Sequence, residues 1–98
     1  MLKKRFFKTK DEVEVTFEVQ QENWESAHVV GEFNNWKPEP MTLVKKSGLF
    51  KFKTRLPKEQ KVEFRYLFNQ NQWGNDPQAD GYVANGFGSD NGFVLTSE

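Results

Sequence analysis

The sequence predicts an all-β domain, a sandwich or a small barrel. Three observations predict it. Apolar and polar residues alternate with a period of two in several short runs. Turn-forming residues separate those runs at close spacing. No stretch sustains the period of a helix.

The elements follow in chain order. Met1 to Lys10 reads as an N-terminal arm, either frayed or pairing with a sheet edge, and residues 11–98 as a single β-sandwich domain. In Asp11 to Gln20, Val13, Val15, Phe17 and Val19 alternate with Glu12, Glu14, Thr16 and Glu18, the pattern of a strand with one buried face. Ala27 to Val30 and Met41 to Val44 are shorter candidates. Gly48 precedes an alternating run, so Lys46 to Leu49 reads as a hairpin turn. Phe50, Phe52, Thr54 and Leu56 then share one face, with Lys51, Lys53 and Arg55 on the other. Val62, Phe64, Tyr66 and Phe68 repeat the pattern, with Glu63, Arg65 and Leu67 opposite. Phe93 to Thr96 closes the set. Turns are expected at Asn23, Lys37-Pro38, Pro57, Asn69 to Asn75 and Asn85 to Gly92.

Composition narrows the function. A chain of 98 residues has the length of one domain. Hydrophobic residues make up only 36% of it and aromatics 15%, so the core must come from a few large rings. Without cysteine there is no disulfide or thiolate metal site, and the single His28 excludes a multi-histidine site. No apolar run is long enough for a membrane helix, and MLKKRFFKTK lacks the apolar stretch of a secretory signal. We therefore expect a soluble, cytoplasmic protein with no membrane or nucleic-acid partner, since a net charge of zero gives little phosphate neutralisation. The basic KKRFFK segment reads as a solvated arm with its two Phe against the sandwich edge.

Catalytic patterns are weak. Most acids alternate with apolar residues and belong to solvated strand faces, while Asp76, Asp80 and Asp90 form no spaced pair. His28 stands between Ala27 and Val29, inside an apolar strand, where a structural role outweighs that of a base. No phosphate loop, dinucleotide fingerprint or calcium loop is present, and no cofactor is implied. We expect no enzyme activity.

The tryptophans carry more information. Trp36 follows Gly31-Glu32-Phe33-Asn34-Asn35, and Trp73 lies within Asn69 to Pro77, both among polar turn formers. Exposed rings flanked by amides suit a sugar, whose C–H faces cover a ring while Asn and Arg meet its hydroxyls. The pattern equally fits two rings that close the ends of a sandwich.

At this point a resemblance enters. Val29 to Trp36, V-V-G-E-F-N-N-W, resembles the V-x-G-x-F-N-x-W signature of glycogen-binding domains. These are the family 48 carbohydrate-binding modules, or isoamylase N-terminal (early-set) domains. They are carried by the β subunit of AMP-activated protein kinase and by branching and debranching enzymes. Gly48-Leu49-Phe50, Leu56-Pro57, Phe64-Arg65-Tyr66, Trp73 to Pro77 (W-G-N-D-P) and Gly88 to Val94 resemble further family motifs in the same order. The resemblance covers roughly residues 13–96.

The resemblance implies an immunoglobulin-like β-sandwich and non-catalytic binding of an α-1,4-glucan: glycogen, starch or a maltooligosaccharide. It implies that Trp36 and Trp73 stack on glucose rings and that Arg65 and Asn91 bond the hydroxyls. Arg65 stands where the family has Lys, and its outward phase on the strand is independently expected from alternation. The resemblance adds Phe87, either an apolar prop or a core residue, and Ser89. The turn before Trp73, Asn69-Gln70-Asn71, is one residue longer than the family's, and Gly92 replaces the second Asn of its N-N pair. Trp24 reads as a cap on the core or as a further platform. The alternative role is a protein-interaction module beside a glycogen-metabolising enzyme, using the face of Lys51, Lys53 and Arg55. We expect a monomer.

Overall fold

The computed structural model describes residues 2–86 and 88–97. Its strands are β1 (Leu2–Phe6), β2 (Glu12–Gln20), β3 (Ala27–Gly31), β4 (Glu39–Pro40), β5 (Thr42–Val44), β6 (Leu49–Pro57), β7 (Lys61–Phe68), β8 (Gln72–Gly74), β9 (Gly81–Ala84) and β10 (Asp90–Leu95). A short 3-10 turn, Glu32–Asn34, follows β3.

Two antiparallel sheets form. One has the order β1-β2-β6-β5, the other β4-β3-β7-β10-β9, with β8 also on β7. Taking β1, β2, β3, β5, β6, β7 and β10 as strands A to G gives A-B-E-D facing C-F-G, the immunoglobulin arrangement. β8 and β10 occupy the same flank of β7 end to end. Phe64 pairs with Gly31 on one side and Gly92 on the other, while Tyr66 pairs with Val29 and Gly74.

Alternation decides which residues are buried. Val13, Val15 and Phe17 of β2, with Phe50 and Leu56 of β6, face Val29 of β3, Phe64, Tyr66 and Phe68 of β7, and Val94 of β10. Rings meet across the sandwich: Phe17 lies 4.9 Å from Phe64 edge-on and 5.5 Å from Phe33 in a stack. Each fully buried ring of this kind contributes about 1.5–3 kcal/mol. That is how a chain low in aliphatic residues holds a core.

The outward face of the first sheet is a ladder of opposite charges. Lys51 meets Glu18, Lys53 meets Glu14 and Arg55 meets Glu12 across the β2–β6 pairing. The expected basic face is thus balanced cation by cation.

The structure revises several expected boundaries. Of the two readings of the N-terminal arm, the edge-pairing one holds: Leu2 to Phe6 is a first strand in register with Val13 to Phe17. Lys4 sits in the inward phase opposite Val15, and its Nζ bonds Asp80 Oδ2 at 2.6 Å, joining the two sheets at their open edge. The turn expected over Asn69 to Asn75 closes within three residues, because Asn69 (φ 50°) and Gln70 (φ 62°) both adopt left-handed backbone. Trp73 therefore lies on a strand. Likewise Asp90 to Gly92 belong to β10 rather than to a turn, being paired with β9.

The W-G-N-D-P motif has a structural core. Asp76 is fully buried. Its Oδ2 accepts the Tyr66 hydroxyl at 2.8 Å, its Oδ1 accepts the Gln78 N–H at 2.8 Å, and its carbonyl accepts the Tyr82 hydroxyl. Burial foremost, then the Asp76 carboxylate and its hydrogen bond, and lastly Glu18, raise the Tyr66 pKa well above the usual phenol value. Replacing Asp76 by Ala strands the buried Tyr66 hydroxyl and should cost about 2 kcal/mol, read as a lower urea midpoint at unchanged slope. Tyr66 also gives the fold an alkaline limit. The native state holds a proton that the unfolded chain releases. Its contribution is complete below about pH 10 and is lost as pH rises through the native value. Urea midpoints should accordingly be flat up to that pH with respect to Tyr66 and fall beyond it.

Candidate functional site

The second sheet's outward face carries a shallow depression of about 380 Å³ lined by Trp36, Arg65, Trp73, Asn85 and Asn91. Strand β7 runs along its floor. Because Val62, Phe64, Tyr66 and Phe68 turn inward, Glu63, Arg65 and Leu67 must turn outward. Val30, opposite Arg65 on β3, is outward in phase and yet only 2% exposed. Leu67 is likewise outward and only 8% exposed. Large side chains therefore lie over this face.

The G-E-F-N-N-W segment places Trp36. Gly31 is packed so closely that a Cβ there would stand 2.7 Å from the Glu63 carbonyl and 2.8 Å from the Phe33 ring. Phe33 points into the sandwich onto Phe17 and Phe52. The Asn34 side chain folds back, accepting the Gly31 N–H at 3.0 Å and donating to the Val29 carbonyl at 3.2 Å. Asn35 and Trp36 then both take left-handed backbone, with φ 58° and 60°. Asn tolerates that conformation, but a bulky aromatic adopts it at a cost of about 1–3 kcal/mol. The Trp36 N–H is held by the Gly31 carbonyl at 2.8 Å, and the indole stays 43% exposed.

Trp73 reaches the depression from β7's other flank. It pairs with Leu67, shares its outward phase, and is 47% exposed. The hairpin turn that carries it is pinned by Asn69, whose Oδ1 accepts the N–H groups of Glu25 and Ser26. The Arg65 guanidinium lies 5.3 Å from the Trp73 ring centroid. This cation–π contact orients both groups. Arg65 Nε is buried without a partner, and Nη1 makes one long bond, 3.4 Å, to Ser89 Oγ.

Asn91 is only 8% exposed, with its Nδ2 donating to Glu63 Oε1 at 3.0 Å and its Oδ1 accepting from Asn85 Nδ2 at 3.3 Å. Asn85 also donates to Ser89 Oγ at 2.9 Å, and its N–H to the Ser89 carbonyl at 3.0 Å, closing the loop between β9 and β10.

Of the residues singled out from sequence, Trp36, Arg65, Trp73 and Asn91 line one depression. Ser89 stands behind it as a partner of Arg65 and Asn85. Phe87 lies outside the described residues. Trp24 is partly buried against the core and stacks on Phe68 at 4.8 Å, 13° from parallel, as a cap does. Asn85 is the lining residue that sequence reasoning missed. It sits in an Asn- and Gly-rich stretch with no alternation to give its direction. The arrangement offers two exposed rings, a cation with unspent donors, and amides fixed by one another. His28 is not among the residues that line the depression. It lies on β3 opposite Leu67 and Pro40.

No protein-family model matches the chain, and no curated protein matches it in sequence. Among solved structures it is similar to ferric enterobactin esterase (Fes) from Salmonella typhimurium, with a TM-score of 0.78 over 97% of this chain at 10% identity. The chain spans 34% of the esterase's length. At that identity the likeness shows the fold alone.

Gly31 offers a direct test of how the site is framed. Gly31→Ala should destabilise the fold by about 2–3 kcal/mol, because its Cβ meets a carbonyl and a ring that are both held by the sandwich. Thermal melting against the unaltered chain measures this.

Proposed function

We propose that the chain is a non-catalytic module that binds α-1,4-glucans, such as glycogen, starch or maltooligosaccharides. One observation carries the reading. Two half-exposed indoles, Trp36 and Trp73, border a single depression whose other lining residues are a cation and two amides. Ring faces take the C–H faces of successive glucose units. Arg65 donates to their hydroxyls from a guanidinium already held 5.3 Å from the Trp73 ring centroid. Asn85 and Asn91 present polar edges that are preordered by Glu63 and Ser89, so little side-chain entropy is lost on binding. The left-handed backbone at Trp36 supports the same reading, since strain of that kind concentrates where a side chain is positioned for use. The resemblance of the V-V-G-E-F-N-N-W and W-G-N-D-P segments to family 48 carbohydrate-binding modules points to the same ligand.

Two open platforms imply weak binding, roughly 0.1–1 mM or about −5 kcal/mol. Titration with maltoheptaose, followed by tryptophan fluorescence or amide shifts, should saturate in that range. Trp36→Ala and Trp73→Ala should each weaken binding at least about tenfold, and Arg65→Met by a smaller factor. Silence at about 10 mM sugar would remove the proposal.

A further inference from the structure

A second cleft lies behind strand β8 and is larger than the first, about 500 Å³ against about 380 Å³. Trp73 borders both. Strand alternation explains how. Trp73 projects to the outward face of the sheet, while its neighbours Gln72 and Gly74 are in the inward phase. Gly74 lets the strand lie directly on Phe68, since a Cβ there would stand 2.8 Å from that ring. The Trp24 and Phe68 rings form a stacked slab in the cleft wall.

The polar lining consists of carboxylates and amides: Glu18, Glu22, Gln72 and Asn75 among them, with no lysine or arginine among the described residues that line it. Glu18 is buried and already met by Lys51 at 3.1 Å and Lys3 at 3.5 Å, so its charge is balanced within the fold. Asn75 donates its Nδ2 to the Asp90 carbonyl at 2.8 Å, and its Oδ1 is buried without a hydrogen-bond partner, so this side chain shapes the cleft wall. Glu22 is the exposed carboxylate of this lining, and it disfavours phosphates and carboxylates there. The side-chain amides of Gln20, Gln72 and Gln78 offer both donors and acceptors beside the Trp24 and Phe68 rings, which suits a neutral molecule with hydroxyls and C–H faces, and the volume holds roughly one or two pyranose rings. We propose that this cleft is a second binding site, for a neutral mono- or disaccharide, joined to the outward depression through the shared Trp73 ring.

The second site does not rest on the glucan reading of the first, and the experiment separates them. Maltose is titrated into the labelled Trp36→Ala chain, with indole and side-chain amide resonances followed by NMR. The expected result is a saturable shift of the Trp24 indole N–H and the Gln72 and Asn75 side-chain amides, with a midpoint in the millimolar range. Gln72→Trp, which fills the cleft mouth from an exposed strand position, should abolish the Trp24 response while spectral dispersion reports an intact fold. No shift at Trp24 up to about 50 mM maltose would overturn the site. A response at Trp36 alone, in the unaltered chain, would overturn it and leave the outward site standing. A Trp24 response with none at Trp36 would support it and count against the outward site. A response to tetramethylammonium and none to maltose would overturn the assigned ligand class.

Discussion

Everything on the outward face depends on what β7 must bury. Phe64 and Tyr66 are wholly enclosed, one edge-on to Phe17 and the other bonded to Asp76. A strand that commits Val62, Phe64, Tyr66 and Phe68 to the interior has no freedom in the residues between them. Slipping the register by one would place Arg65 and Glu63 in the core, at a cost no sugar contact could offset. The interior rings therefore fix where Arg65 points, and β3, β8 and β10 are aligned against that same strand.

This explains why much of the architecture was legible in the residues. Long alternating runs such as Val13 to Val19 and Val62 to Phe68 give type and facing directly. Short elements do not. β8 contains Gln72, Trp73 and Gly74, with no period to read, and it exists because Asn69 and Gln70 reverse the chain in three residues. β1 was ambiguous because Leu2, Lys4 and Phe6 share one phase, and a lysine in that phase reads as solvated. Only the position of Asp80, contributed by a loop far along the chain, gives Lys4 a reason to be there.

The depression divides in the same way. Its cation stands in a strand with strong alternation, and a family resemblance named its two rings. Asn85 does not, since its role arises from a loop closed onto Ser89. Asn91 was named, but its burial and its bond to Glu63 were not visible, because they depend on a neighbouring strand. Contacts between distant segments are where reading along the chain stops being informative. The likeness to an esterase's β-sandwich adds the fold without bearing on the ligand.

The end-to-end sharing of one flank of β7 by β8 and β10 has a mechanical outcome. The β7–β8 hairpin is a cantilever: it is anchored along Tyr66 to Phe68 and at Asn69, while the closing strand β10 docks farther back, on Lys61 to Phe64. Its tip can lengthen or shorten without re-registering the rest of the sandwich. The turn is thus an adjustable end on a rigid frame, while the indole of Trp73 keeps its place through the pairing with Leu67.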